Sequence, residues 1–149
     1  MIIHTASEGI SFAKTLENNS ASFYESISQK FSEESDILLT FTRENKKNIA
    51  QTERVYFGVI TDAIEGSYAF NIETDKYAIE TDLNEKDTYA AILKQAIQVE
   101  EQIMKYYSDA AEQSRSLMAD IPRAFDLLVK KRRSRIEVLK TLIDKTKAL

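Results

Sequence analysis

The sequence predicts an all-α protein folded as an antiparallel four-helix bundle, and three observations carry that expectation. Apolar residues recur at three- and four-residue spacings through four long segments. Helix-forming residues dominate, with three Gly and a single Pro in 149 residues. Residues 67–83 lack this periodicity and divide the helices into two pairs of similar length. One domain spanning 1–149 is expected, because a chain of this size can bury a sizeable core without disulfides or a structural metal.

The first helix is expected to open at Thr5. Thr5-Ala6-Ser7-Glu8 has the capping-box form, in which hydroxyl and carboxylate satisfy each other's free backbone donors. Ile10, Ala13, Leu16, Glu17, Tyr24, Ile27 and Phe31 then follow one face to about Phe31. Ser32 is the expected cap of the second helix, since Glu33 and Glu34 place negative charge in its first turn. Ile37, Phe41, Glu44, Asn48, Val55 and Val59 continue the spacing to Gly66, a residue suited to a helix end.

After the connection, Asn84 with Asp87 three residues on supplies the next start signal. Tyr89, Ile92, Leu93, Ala96, Ile97, Glu100, Ile103, Met104 and Tyr107 follow helical spacing, and this helix should end near Ser114. Asp120 is placed to cap the last helix, with Pro122 in the first turn, where a missing amide hydrogen costs no internal bond. Phe125, Leu128, Arg132, Arg135, Leu139 and Leu142 trace its inner face, so two guanidinium groups sit on a stripe meant for the core.

Several function classes are excluded by composition. Without cysteine there is no disulfide scaffold, thiolate metal site or catalytic thiol. The start of the chain is too short and polar for a signal peptide, and no apolar run reaches the roughly 18 residues a membrane span needs. A cytoplasmic protein with no membrane partner is therefore expected. A formal charge of −4 gives no general attraction to nucleic acid. The run Lys130-Lys131-Arg132-Arg133-Ser134-Arg135 reads linearly as a basic patch, but helical geometry divides it between faces, so no nucleic-acid partner is expected.

The two halves share an internal repeat. Ala13-Lys14-Thr15-Leu16-Glu17 followed by Phe23-Tyr24 matches Ala96-Ile97-Gln98-Val99-Glu100 followed by Tyr106-Tyr107, with the same distance from Glu to the aromatic pair. This motif resembles the rubrerythrin branch of the ferritin-like family, and the resemblance covers nearly the whole chain. It implies a ferritin-like bundle made of two helix pairs, a long connection between helices two and three, and a homodimer. In that family helices one and three each bring a Glu, and helices two and four each bring Glu-x-x-His. The six side chains hold two irons for peroxide reduction or iron oxidation.

Carried over by position, Glu17, Glu44 and Glu100 fall on three of the family's carboxylate ligands. The helix-two His position falls on Lys47, and the helix-four pair falls on Arg132 and Arg135. A second register would use Glu137 and Lys140, but it turns Ser134 and Asp144 toward the core. Arginine stays protonated and cannot ligate a metal, and lysine can do so only after losing its proton. The expectation is therefore that Lys47, Arg132 and Arg135 substitute fixed positive charge for metal. At an effective dielectric of about 20, each opposite pair about 4 Å apart gains roughly 4 kcal/mol before desolvation is counted.

Three functional readings follow. The first is a protein without cofactor that keeps the bundle for assembly or partner binding. The second is a metal-binding oxidoreductase acting on peroxide or oxygen, with iron or another divalent metal on Glu17, Glu44 and Glu100. The third is a binder of a small anion taken up between the helices by the arginines. His4, the single histidine, precedes the first helix and cannot replace two imidazoles at mid-bundle. Tyr24, Tyr106 and Tyr107 are expected as core aromatics.

Overall fold

Thr5 starts the first helix as its sequence requires. Its hydroxyl accepts the Glu8 amide at 3.2 Å, and the Glu8 carboxylate accepts the Thr5 amide at 3.1 Å. In the computed structural model, which describes residues 1–32, 35–59, 70–116 and 120–147, α1 spans Ala6–Lys30 and is closed by Phe31. The second helix, α2, spans Ser35–Val59. It is described from three residues beyond Ser32; Glu33, Glu34 and Gly66 lie outside the described residues.

The third helix, α3, spans Tyr89–Gln113, and its cap differs from the expected one. Thr88 accepts the Ala91 amide at 3.2 Å and starts the helix. Asn84 instead closes a turn, its side chain accepting the Lys86 amide and its carbonyl the Asp87 amide, both at 3.0 Å. A short polar side chain serves a turn as well as a cap, so the start signal at Asn84 was ambiguous. Ser114 closes α3, as its position suggests. The last helix, α4, spans Asp120–Lys147 with Pro122 in its first turn.

Two strands of two residues each were not visible in the sequence, because a pair of residues carries no period. β1 (Ile2–Ile3) runs antiparallel to β2 (Ile72–Glu73), with Ile3 opposite Ile72 and both buried. A 3-10 turn over Thr74–Tyr77 follows, and the Tyr77 hydroxyl donates to Asp109 on α3. Residues 70–77 are thereby tied both to the chain start and to the bundle.

Helix α1 packs chiefly on α2 and α3 chiefly on α4, while α2 also meets α4 and α1 meets α3. The pairs run antiparallel. Across α1 and α2, Thr42 donates to the Ala21 carbonyl, Asn45 to Glu17, and Glu53 pairs with Lys14. Across α3 and α4, Arg132 meets Glu100 and Arg115 meets Asp126. The core is continuous and strongly aromatic: Tyr106 meets Phe12, Tyr77 and Phe125 edge-on at 4.8, 5.4 and 6.4 Å between ring centres. Among the described residues no helix is long and apolar enough to cross a membrane.

Candidate functional site

Each helix carries a buried stripe at alternating three- and four-residue steps. On α1 it is Ala13, Glu17, Ser20, Tyr24 and Ile27, and on α3 it is Ala96, Glu100, Ile103, Tyr107 and Ala110. On α2 it is Leu38, Phe41, Asn45, Asn48 and Thr52, and on α4 it is Leu128, Arg132, Arg135, Leu139 and Leu142. This spacing keeps one seam of each helix turned to its neighbours. Polar residues occupy the middle of all four seams, and there they meet as a single layer.

Arg132 stands at its centre, 0% exposed, against carboxylates from two other helices. Its Nη1 donates to both oxygens of Glu100, at 2.8 and 2.9 Å, and lies 3.1 Å from the Ser20 hydroxyl. Its Nη2 lies 2.7 Å from Glu17 Oε2, an ion pair set off the N–H direction, so the contact is Coulombic rather than a well-aligned hydrogen bond. Arg135, one turn further along, supports Glu100 as well. Its Nη1 reaches Glu100 and the side-chain Oδ1 of Asn45, both at 3.3 Å, and its Nη2 reaches Glu44 at 3.2 Å and the Phe41 backbone carbonyl at 3.3 Å. The guanidinium also lies over the Phe41 ring, 4.6 Å from its centre.

The two tyrosines that close the internal repeat act across it. Tyr24 of α1 donates to Glu100 of α3 at 2.6 Å, and Tyr107 of α3 donates to Glu17 of α1, also at 2.6 Å. Asn45 of α2 donates through Nδ2 to the other Glu17 oxygen. Glu17 thus accepts from a phenol and an amide and faces a guanidinium, while Glu100 accepts from a phenol and two guanidinium groups. Tyr106, beside Tyr107 in sequence, leaves the layer and donates to the Gly9 carbonyl at 2.7 Å.

The electrostatics follow from this enclosure. Burial alone would raise the Glu17 carboxyl, but the Arg132 charge beside it, with the Tyr107 and Asn45 donors, outweighs that and holds the group below the usual carboxylate range. Burial would likewise lower Arg132, and the Glu100 and Glu17 charges more than reverse that. Tyr24 and Tyr107 are driven well above the ordinary phenol value, first by burial and then by the carboxylates they serve. Glu17, Glu100, Arg132 and Arg135 are the charged groups buried among the described residues, so two negative charges meet two positive ones.

Of the sequence-derived site residues, Glu17, Glu100, Arg132 and Arg135 meet in this layer, and Glu44 and Lys47 do not share its interior. Glu44 is on the rim, its side chain 48% exposed, touching Arg135 from outside. Lys47 was expected inward and is exposed, so it does not substitute charge in the layer. The cause is a register shift of one residue on α2. Consecutive helical residues stand about 100° apart, so a seam through Asn45 and Asn48 carries Glu44 and Lys47 to its flank. The signal lies in the regular spacing of Leu38, Phe41, Asn45, Asn48 and Thr52, a seam whose neutral amides are flanked by the more conspicuous charges of Glu44 and Lys47.

The layer does not fit a pair of irons. Each buried carboxylate already faces a guanidinium, which cannot ligate and cannot be deprotonated, and imidazole is absent from the layer. Among the described residues no three His, Cys, Asp or Glu side chains are grouped so as to hold a metal ion. An anion approaching the arginines would meet the carboxylates of Glu17, Glu44 and Glu100 already set against them. Compared with protein-family models, curated proteins and solved structures, the chain matches none.

Proposed function

We propose that this chain is a ferritin-like scaffold related to rubrerythrins, with a guanidinium pair standing where the relatives hold metal, and that it serves assembly or partner binding rather than redox catalysis. The observation that carries this reading is Arg132, buried and in contact with both Glu17 and Glu100. In a di-iron carboxylate site the metal bridges the glutamates of opposing helices and compensates their charge. Here one planar cation spans the same pair of positions, and Arg135 adds the second charge. The internal repeat supports the family reading, since Glu17 with Tyr24 and Glu100 with Tyr107 occupy matched places on α1 and α3.

The test is iron binding by the full chain. Protein purified without chelator, exposed anaerobically to ferrous iron and desalted, should retain no stoichiometric iron by elemental analysis and should not consume peroxide. A variant with Asn45→Glu, Asn48→His, Arg132→Glu and Arg135→His rebuilds both Glu-x-x-His pairs in the observed register, and it should gain bound iron. Stoichiometric iron in the parent would overturn the reading. Sedimentation equilibrium addresses the assembly half of the proposal, with a homodimer as the expected species.

A further inference from the structure

The outward flank of α2 and α4 carries a second chemistry. A cavity of about 260 Å³ lies there, lined by Glu44, Lys47, Asn48, Lys131 and Ser134. The Lys131 ammonium is half-buried and donates to Asn48 Oδ1 at 3.1 Å and Gln51 Oε1 at 3.2 Å. Both acceptors are neutral, and among the described residues no carboxylate pairs with it. Lys47 is exposed and has neither an ion pair nor a hydrogen bond among the described residues. The one acidic group of the lining, Glu44, lies 3.2 Å from Arg135, a guanidinium it shares with the buried Glu100.

Lys47 and Lys131 therefore bring two positive charges to the cavity against the single carboxylate of Glu44, which already touches Arg135. Asn48 is the most buried lining residue, at 2% exposure, and its Nδ2 has no hydrogen-bond partner among the described residues. Ser134 adds a hydroxyl and also lines an adjoining cavity of about 430 Å³ with Lys130, Arg133 and Glu137. Positive charge thus continues past the first cavity on a chain whose net charge is −4.

We infer that the cavity between α2 and α4 is a binding site for a phosphate group, either free or as the monoester of a small molecule whose remainder lies across Ser134. Two ammonium groups acting as point charges, with a hydroxyl donor beside them, suit a compact dianion. A carboxylate is better served by a planar guanidinium fork, and the nearest fork, Arg135, is engaged elsewhere. The volume is below the roughly 300 Å³ at which pockets for drug-sized ligands begin, so only a small group enters the first cavity. The site does not rest on the reading of the buried layer, because its two cations, Lys47 and Lys131, lie outside that layer.

Calorimetric titration of the full chain with inorganic phosphate, glycerol 2-phosphate and succinate at fixed ionic strength tests the inference. Both phosphate probes should bind saturably, and succinate about tenfold more weakly or not at all. Tighter binding of glycerol 2-phosphate than of inorganic phosphate would identify the monoester as the ligand, and the reverse order the free ion. Lys131→Met should weaken phosphate binding about tenfold, and Lys47→Met about three- to tenfold. Lys140→Met, which changes a lysine outside both linings, should bind as the parent does. Lys47 is exposed, so its variant reports on the site even if Lys131→Met fails to fold. Absence of saturable phosphate binding, equal binding of succinate, or undiminished affinity in Lys47→Met would overturn the assignment.

Discussion

The two helix pairs follow one plan until they reach the polar layer, where they part. Glu17 and Tyr24 on α1 are matched by Glu100 and Tyr107 on α3, and each tyrosine donates to the other pair's glutamate. The accompanying helices differ: α2 brings Asn45 and Asn48 inward, and α4 brings Arg132 and Arg135 at the same seam positions. Glu100 is compensated within its own pair by two guanidinium groups, while Glu17 relies for charge on Arg132 of the other pair. The difference teaches that shared geometry does not require shared chemistry. The donors of a repeated site can be neutral on one side if the other supplies the cations.

The largest effect should come from removing the shared cation. Arg132→Met leaves Glu17 and Glu100 buried with too little compensation, and it should cost about 3–5 kcal/mol of unfolding free energy in urea titration. Asn45→Ala, at the matched seam position, removes a neutral donor to Glu17 and should cost about 1–3 kcal/mol. Equal losses at the two positions would mean that charge is not what separates the pairs.

The tyrosines sharpen the symmetric side of the comparison. Tyr24→Phe and Tyr107→Phe each delete one hydrogen bond to a buried carboxylate, so each should cost about 1.5–3 kcal/mol, by similar amounts. A clearly larger cost for Tyr107→Phe would show that Glu100, with two guanidinium partners, tolerates the loss of a phenol better than Glu17 does.

Acid titration probes the Glu17 side of the comparison. The folded Glu17 carboxyl lies below its unfolded value, so the unfolded chain binds more protons as pH falls. Its contribution is fully present above the unfolded carboxylate range and is lost as pH drops through the depressed folded value. Glu17→Gln removes that term, and unfolding free energy measured from about pH 6 down to pH 2 should fall less steeply than in the parent. A slope as steep as the parent's would place the acid sensitivity elsewhere. The smallest effect is expected at Lys47. Its replacement by Ala should change stability by no more than about 0.5 kcal/mol, because it is exposed and outside the layer.

Much of this arrangement was legible in the sequence, and the parts that were not share a physical cause. The Thr5 and Glu8 cap was readable because two side chains at fixed spacing complete each other's bonds. Glu17, Glu100, Arg132 and Arg135 were readable because charged groups interrupt apolar stripes. Asn45 was missed, although it bonds Glu17 and Arg135, because a neutral amide interrupts a stripe less visibly than a carboxylate and Glu44 sits beside it. The Asn84 signal failed for a related reason: the same side chain can close a turn or cap a helix, and only tertiary packing decides between them. The strand pair at Ile2–Ile3 and Ile72–Glu73 depends on residues some seventy positions apart, which no local period encodes.

Arg132 contacts α1 through Glu17 and Ser20 and α3 through Glu100 while belonging to α4. If either helical hairpin came away by itself, it would carry off part of that set and leave an ionised group stranded in the remaining half. Partial openings are therefore costly relative to complete unfolding. Amide protons at the centres of α1, α3 and α4 should exchange with solvent through one common event, so the bundle behaves as a single foldon rather than as two hairpins that happen to be docked.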